Sequence, residues 1–153
     1  MAHPFLLGIA TSLVLAAAPP DKSATSDKEK LQGTWQLVSI ELNKQNIPLE
    51  DLKSGKVVVA AQLVAKGDSY VFTLGEERLE LTFTMDQTKT PKTIDMTIVA
   101  GKEKGKVYHG IYKLEGDIYT ICRNFEPDND RPTEFATKVD TGLMIVVWKR
   151  CKT

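Results

Sequence analysis

From Thr34 onward the chain is a succession of short runs in which apolar and polar residues alternate, separated by turn residues. Alternation with a period of two puts successive side chains on opposite faces, so each run reads as a β-strand with one buried face. Eight runs are found: Thr34–Leu42, Lys56–Lys66, Ser69–Leu74, Arg78–Met85, Lys92–Val99, Lys106–Leu114, Asp117–Arg123 and Gly142–Arg150. Between the first two, Asn43–Gly55 is a loop with room for one helical turn around Leu49–Leu52; a longer loop, Asn124–Thr141, precedes the last run. Nowhere after Lys30 does a period of 3.6 persist long enough for a crossover helix, so consecutive strands joined by short turns pair antiparallel. An open sheet of eight strands leaves two exposed edges, and closing it into a barrel removes both. With an even strand count the first and last strands meet antiparallel, which places Trp35 beside Arg150. The expected fold is all-β, an eight-stranded antiparallel up-and-down barrel with a short N-terminal helical turn.

Composition narrows the functional classes. Twenty Lys and Arg balance twenty Asp and Glu, with a pI near 6.7. A dedicated nucleic-acid binder needs net positive surface to meet phosphates, so none is expected as a partner. The run Phe5–Ala18 is almost unbroken apolar sequence. It is too short for a ~30 Å hydrocarbon core and suits a signal-peptide core, with Ala16 and Ala18 as the small residues before a cut. Two features oppose this reading, the lack of Lys or Arg before the run and Pro19 directly after the cut, and the alternative is an uncleaved N-terminal anchor or a tolerated apolar tail. The expected organisation is a signal peptide over 1–18, a flexible lead-in over 19–30 and a barrel over 31–153, exported to a periplasmic or extracellular space. No membrane span is expected once the signal is removed, and no cysteine near the run offers a lipid attachment site.

A set of ordered residues adds a resemblance. Gly33-Thr34-Trp35 opens the first strand and Arg150 closes the last, a pairing similar to the lipocalin-type signature, in which the tryptophan plugs the barrel base and a late arginine packs across it. Further pieces are Leu31-Gln32, Ile94-Asp95, Gly101 to Gly105-Lys106, Gly110-Ile111-Tyr112 with Gly116-Asp117, Arg131-Pro132-Thr133-Glu134-Phe135 and Lys149-Arg150. Together they resemble a family of functionally uncharacterised, lipocalin-like exported proteins of planctomycete bacteria, over nearly all of Leu31–Arg150. The resemblance implies a lipocalin-like barrel in which Gly33, Trp35 and Arg150 close one end. It implies no activity.

The residues that could carry chemistry are few. His109 is the only histidine outside the apolar N-terminus, and no nucleophile frame surrounds it; a surface or satisfied barrel histidine is the simpler reading. Asp95 lies on the face opposite Ile94 and Met96, with Thr93 and Thr97, and reads as an outward acid. Glu126-Pro127-Asp128-Asn129-Asp130 resembles a calcium loop but has Arg131 where such a loop turns on glycine. Gly101-Lys102-Glu103-Lys104-Gly105-Lys106 has the wrong spacing for a phosphate loop and reads as a hairpin turn. In the long loop, Phe135 reads as an anchor on the barrel, with Arg131 and Glu134 paired locally. Cys122 and Cys151 fall about 25–30 Å apart along neighbouring strands, too far for a disulfide. No catalytic set, metal site or cofactor is expected.

The interior remains. An eight-stranded barrel is filled by side chains or holds one small molecule. The residues expected to face the lumen are Tyr70, Phe72, Leu81, Phe83, Ile94 and Met96, with Tyr112 and Ile121 less clear because both faces of their strands are apolar. The last strand is apolar on both sides and is expected to pack against something outside, such as the segment around Leu31. Two functions fit almost equally: a carrier of a small apolar ligand, or a filled barrel whose loops contact another macromolecule. Cavity volume separates them: usual ligand sites begin near ~300 Å³, and a pocket smaller than that would end the carrier reading. An enzyme is a distant third.

Overall fold

The computed structural model describes residues 25–48, 50–51 and 61–152. The expected signal peptide over 1–18, the lead-in as far as residue 24, Leu49 and Leu52 of the helical turn and residues 56–60 of the second run lie outside them. The elements are α1 (Asp27–Leu31), β1 (Gly33–Leu42), β2 (Gln45–Pro48), β3 (Ala61–Lys66), β4 (Ser69–Leu74), β5 (Glu77–Asp86), β6 (Lys92–Ile98), β7 (Val107–Glu115), β8 (Ile118–Asn124) and β9 (Leu143–Arg150). From β3 to β9 every consecutive pair is antiparallel, β1 pairs with β3, and β9 returns to β1. The result is a closed eight-stranded antiparallel barrel with one additional strand. No helix among the described residues is long and apolar enough to cross a membrane.

The additional strand is β2, inside what the sequence reads as a loop. Asn43 and Lys44 both take positive φ, 51° and 65°, the backbone of a two-residue hairpin turn whose twist suits paired strands. Gln45–Pro48 therefore folds back on Ser39–Leu42, while the lower half of β1 pairs with β3. A bulge between Leu37 and Ser39 shifts the register against β9. One inserted residue moves the inward face from odd positions (Trp35, Leu37) to even ones (Ile40, Leu42).

One end of the barrel is a floor. The turns after β3, β5 and β7 gather there with α1. Trp35 pairs in register with Arg150 and is fully buried, and the Arg150 guanidinium carbon stands 4.2 Å from the centre of its ring. The same guanidinium donates to the carbonyls of Gln32 (2.7 Å) and Lys30, and to Asp117 Oδ1 at 3.2 Å. It thus satisfies carbonyls at the C-terminal end of α1 that have no partner within the helix. Gly33 has φ of 119°, and a Cβ there would stand 3.3 Å from Arg150 Nη1; backbone conformation and guanidinium together select glycine.

The end of the lead-in is helical. Ser26 caps α1 in a reciprocal capping box with Glu29. Asp27, 4% exposed, lies beneath the barrel. Its Oδ2 accepts from Lys92 Nζ (2.6 Å) and Tyr112 Oη (2.9 Å), and its backbone N–H donates to Gln87 Oε1 at 2.8 Å. Leu31 is fully buried in the central core, and its carbonyl accepts from Trp35 Nε1 at 2.8 Å. It seals the floor and does not cover the outer face of β9 as the sequence suggested.

The long connection between β8 and β9 crosses the outside of the barrel as a strap. Arg131 donates to the carbonyls of Ile94 (3.2 Å) and Gly110 (2.7 Å) and to Asp95 Oδ1 (2.7 Å). The Glu134 carbonyl accepts from Cys122 Sγ at 3.7 Å. Thr137 Oγ1 donates to Glu41 Oε1 at 2.6 Å and accepts from the Lys44 N–H at 2.9 Å. The strap therefore reaches from β6 past β7 and β8 to β1. It covers the outward Ile111 and Cys122, which are 1% and 0% exposed; this is why both faces of β7 and β8 are apolar. Arg131 and Glu134 do not pair with each other: Arg131 takes Asp95, and Glu134 takes Lys138 at 3.6 Å. Phe135 lies under the Lys113 ammonium, 4.4 Å from the ring centre.

Candidate functional site

Inward side chains fill the barrel unevenly. Near the floor, the Trp35 ring lies 5.9 Å from Tyr119, and Tyr119 lies 6.4 Å from Tyr112, both tilted; Tyr70 meets Phe83 edge-on at 5.8 Å. These aromatics pack against one another in the lower half. Toward the other end the packing opens into a cavity of about 190 Å³. Its walls come from Leu37 and Ile40 of β1, Tyr70, Phe72 and Leu74 of β4, Leu79 and Leu81 of β5, Met96 of β6, Tyr108 of β7, Ile121 and Arg123 of β8, and Met144, Val146 and Trp148 of β9. Arg123 is the one charged group among them.

Five of the residues expected in the lumen line this cavity: Tyr70, Phe72, Leu81, Met96 and Ile121. Phe83, Ile94 and Tyr112 belong to the same core but do not border the open space. They pack in the lower half, where Tyr112 turns its hydroxyl to Asp27. The lining residues missed in the sequence come chiefly from β1, whose bulge breaks the alternation, and from β9, whose two faces look alike. Arg123 was legible: it continues the inward series Tyr119, Ile121 by the period of two.

Above the cavity lies a wider vestibule of about 710 Å³. Phe72, Leu74, Leu79, Tyr108 and Arg123 border both spaces, and Glu77, Arg78, Glu103, Lys106, Phe125, Glu126 and Pro127 add a polar rim. Two rim cations are neutralised locally, Arg78 by Glu80 (2.7 Å) and Lys106 by Glu103 (2.9 Å). The enclosed part alone is smaller than ordinary ligand pockets; only together with the vestibule does the mouth offer room for one.

Burial dominates the electrostatics of the interior. It pushes the Tyr70 phenol up to about 12 and the Tyr119 phenol well above its ordinary value, so both stay neutral. Tyr119 Oη and Trp148 Nε1 are buried with no hydrogen-bond partner among the described residues. Burial also pulls the Arg123 guanidinium below its ordinary value.

His109 and Asp95 lie outside, opposite each other on β7 and β6. His109 Nδ1 is 2.8 Å from Asp95 Oδ1, the oxygen that also accepts from Arg131. Burial alone would raise the Asp95 pKa, but the bonds from His109 and Arg131 outweigh it and hold the carboxyl below its usual range. The trio fastens the strap. The acidic stretch Glu126–Asp130 is fastened too: Asp128 exchanges bonds with the backbone of Val107, at 2.7 and 2.9 Å. No group of three metal-ligating side chains occurs among the described residues. Both cysteines are free; Cys122 pairs in register with Ile145, which leaves Cys151 six residues away along β9.

Comparison of the chain with protein-family models, with curated proteins and with solved structures finds no match.

Proposed function

We propose that this chain is an exported, lipocalin-like barrel that binds a small, mostly apolar ligand at its open end, with the ligand's apolar part in the cavity and the remainder in the vestibule. The observation that carries this reading is the asymmetry of the interior. One half is packed solid with aromatic rings, while the other keeps an apolar hollow that opens into a wider space. A barrel serving only as a scaffold gains nothing from such a hollow, because an unfilled void forfeits dispersion contacts. Binding would be driven by removing apolar ligand surface from water, at about 25 cal/mol per Å² before ordering costs. Export rests on the apolar run Phe5–Ala18, and kinship with the lipocalin-like family on the residues of the floor and strap.

Native mass spectrometry of the purified protein, with titration of an uncharged solvatochromic dye, tests the binding. A released adduct, or saturable one-to-one dye binding, is the expected result. The absence of both a released adduct and saturable dye binding would remove the carrier reading.

A second reading has its own support. Phe125 and Val139, on the strap, are 63% and 59% exposed, and the enclosed cavity is small. A barrel that contacts another macromolecule through this strap would show those features without any ligand, and a negative result in the experiment above would favour it.

A further inference from the structure

The lumen contains an arginine where an apolar residue would pack better. Arg123 projects inward from β8 at the junction of cavity and vestibule. Its Nη1 donates to the carbonyls of Asn124 (2.7 Å) and Phe125 (3.4 Å), and its guanidinium carbon lies 4.3 Å from the centre of the Tyr108 ring. These contacts fix its position and leave Nη2 and Nε with no hydrogen-bond partner among the described residues. No carboxylate of the described residues lies within ion-pair distance, although every other arginine there has one: Arg78 with Glu80, Arg131 with Asp95 and Arg150 with Asp117. Residues 52–60 contain no Asp or Glu. Arg123 is half-buried; a cation drawn even partly out of water is costly unless it is paired, and a guanidinium presents two parallel donors that match a carboxylate.

We propose that Arg123 receives the carboxylate of a short-chain amphiphilic acid whose apolar tail fills the 190 Å³ cavity below it. This rests on the carrier reading above and adds the head-group chemistry. The polarity is set by position: the guanidinium stands at the top of the cavity, so the tail points toward Trp148 and the floor while the head faces the vestibule. Tyr108, against the face of the guanidinium, holds the fork in place. The rim contributes no general pull on anions, since its three acids, Glu77, Glu103 and Glu126, outnumber its two bases, Arg78 and Lys106; recognition is local to Arg123.

Isothermal titration of the unaltered protein with three probes of one chain length, octanoate, 1-octanol and octylamine, tests this at neutral pH. Octanoate is expected to bind at least tenfold more tightly than octanol, and octylamine most weakly. Arg123→Met is expected to abolish the preference for octanoate while octanol binding persists. Equal binding of octanoate and octanol, or preference for the amine, overturns the role of Arg123 and leaves the carrier reading standing. No binding of any probe overturns both. The three-probe comparison needs no variant, so it decides even if Arg123→Met does not fold.

Discussion

Asp27 is the residue on which the floor depends, and it was not legible in the sequence. It stands in a polar stretch that reads as a lead-in, with no apolar periodicity to mark a helix of five residues. Its importance comes from Lys92 and Tyr112, which are distant in sequence and meet it only once the barrel has closed. Burial alone would raise its pKa. The bonds from Lys92 and Tyr112, with the charges of Lys92 and Lys30, outweigh that and hold the carboxyl below its usual range. A carboxyl lowered in the folded state stabilises the fold above its unfolded pKa, near 3.9, and loses that contribution as pH falls through the lower folded value. Asp27→Asn is expected to lose about 2 kcal/mol at pH 7 and progressively less as the pH is lowered below about 4, measured by urea unfolding across that range. An equal loss at pH 7 and pH 2.5 would show that charge is not the cause. Tyr119 gives the opposite case. Its hydroxyl is buried without a hydrogen-bond partner, so Tyr119→Phe removes an unmet polar group and keeps the ring against Trp35. Thermal melts should show a midpoint unchanged or raised. A fall of several degrees would show that the hydroxyl bonds its neighbour, the Tyr70 hydroxyl.

At the scale of elements, the strands were legible wherever one face meets water and the other the core. The runs for β4, β5 and β6 match the observed strands to within a residue or two because their alternation is unbroken. Two elements escaped. β2 is four residues long, and its turn depends on positive φ at Asn43 and Lys44, a residue pair that is not a strong hairpin signal. The strap has no periodicity, and its anchors are single long-range bonds. Its clearest trace in the sequence was indirect: β7 and β8 carry apolar residues on both faces, which requires a cover. Thiol chemistry can test that cover. Cys122 lies buried beneath the strap, and burial pushes its thiol up to about 11, whereas Cys151 is only half-buried. A thiolate reagent at pH 8 should label Cys151 quickly and Cys122 slowly. Arg131→Gln removes the charge that holds the strap on Asp95 and the backbone of β6 and β7, and should accelerate labelling of Cys122 without changing Cys151. Equal rates for Cys122 with and without Arg131 would mean that the strap is held elsewhere, for instance at Thr137.

The whole molecule was the most legible level, because closure follows from counting. Eight antiparallel strands with one apolar face leave two edges that only each other can satisfy, and an even count then brings Trp35 to Arg150 in register. What counting cannot reveal is how completely the interior is filled, since that depends on the volumes of side chains from eight strands at once and on the bulge in β1. The balance between packing and vacancy can be altered at one position. Val146 faces the cavity from β9 and is 5% exposed. Added volume in a tight core strains its neighbours, at a cost of about 1–3 kcal/mol. In a void it restores contacts, and filling substitutions commonly stabilise by about 0.5–2 kcal/mol. A cavity of 190 Å³ accepts the extra volume of an aromatic ring, so Val146→Phe should raise the unfolding free energy by about 1 kcal/mol. If the hollow is maintained for a ligand, the same variant should lose binding of an apolar dye at least tenfold. Stability and binding moving in opposite directions is the signature of a vacancy kept for use. Binding that survives in a stabilised Val146→Phe would transfer the ligand to the vestibule, and destabilisation would mean that the ring cannot reach the open space.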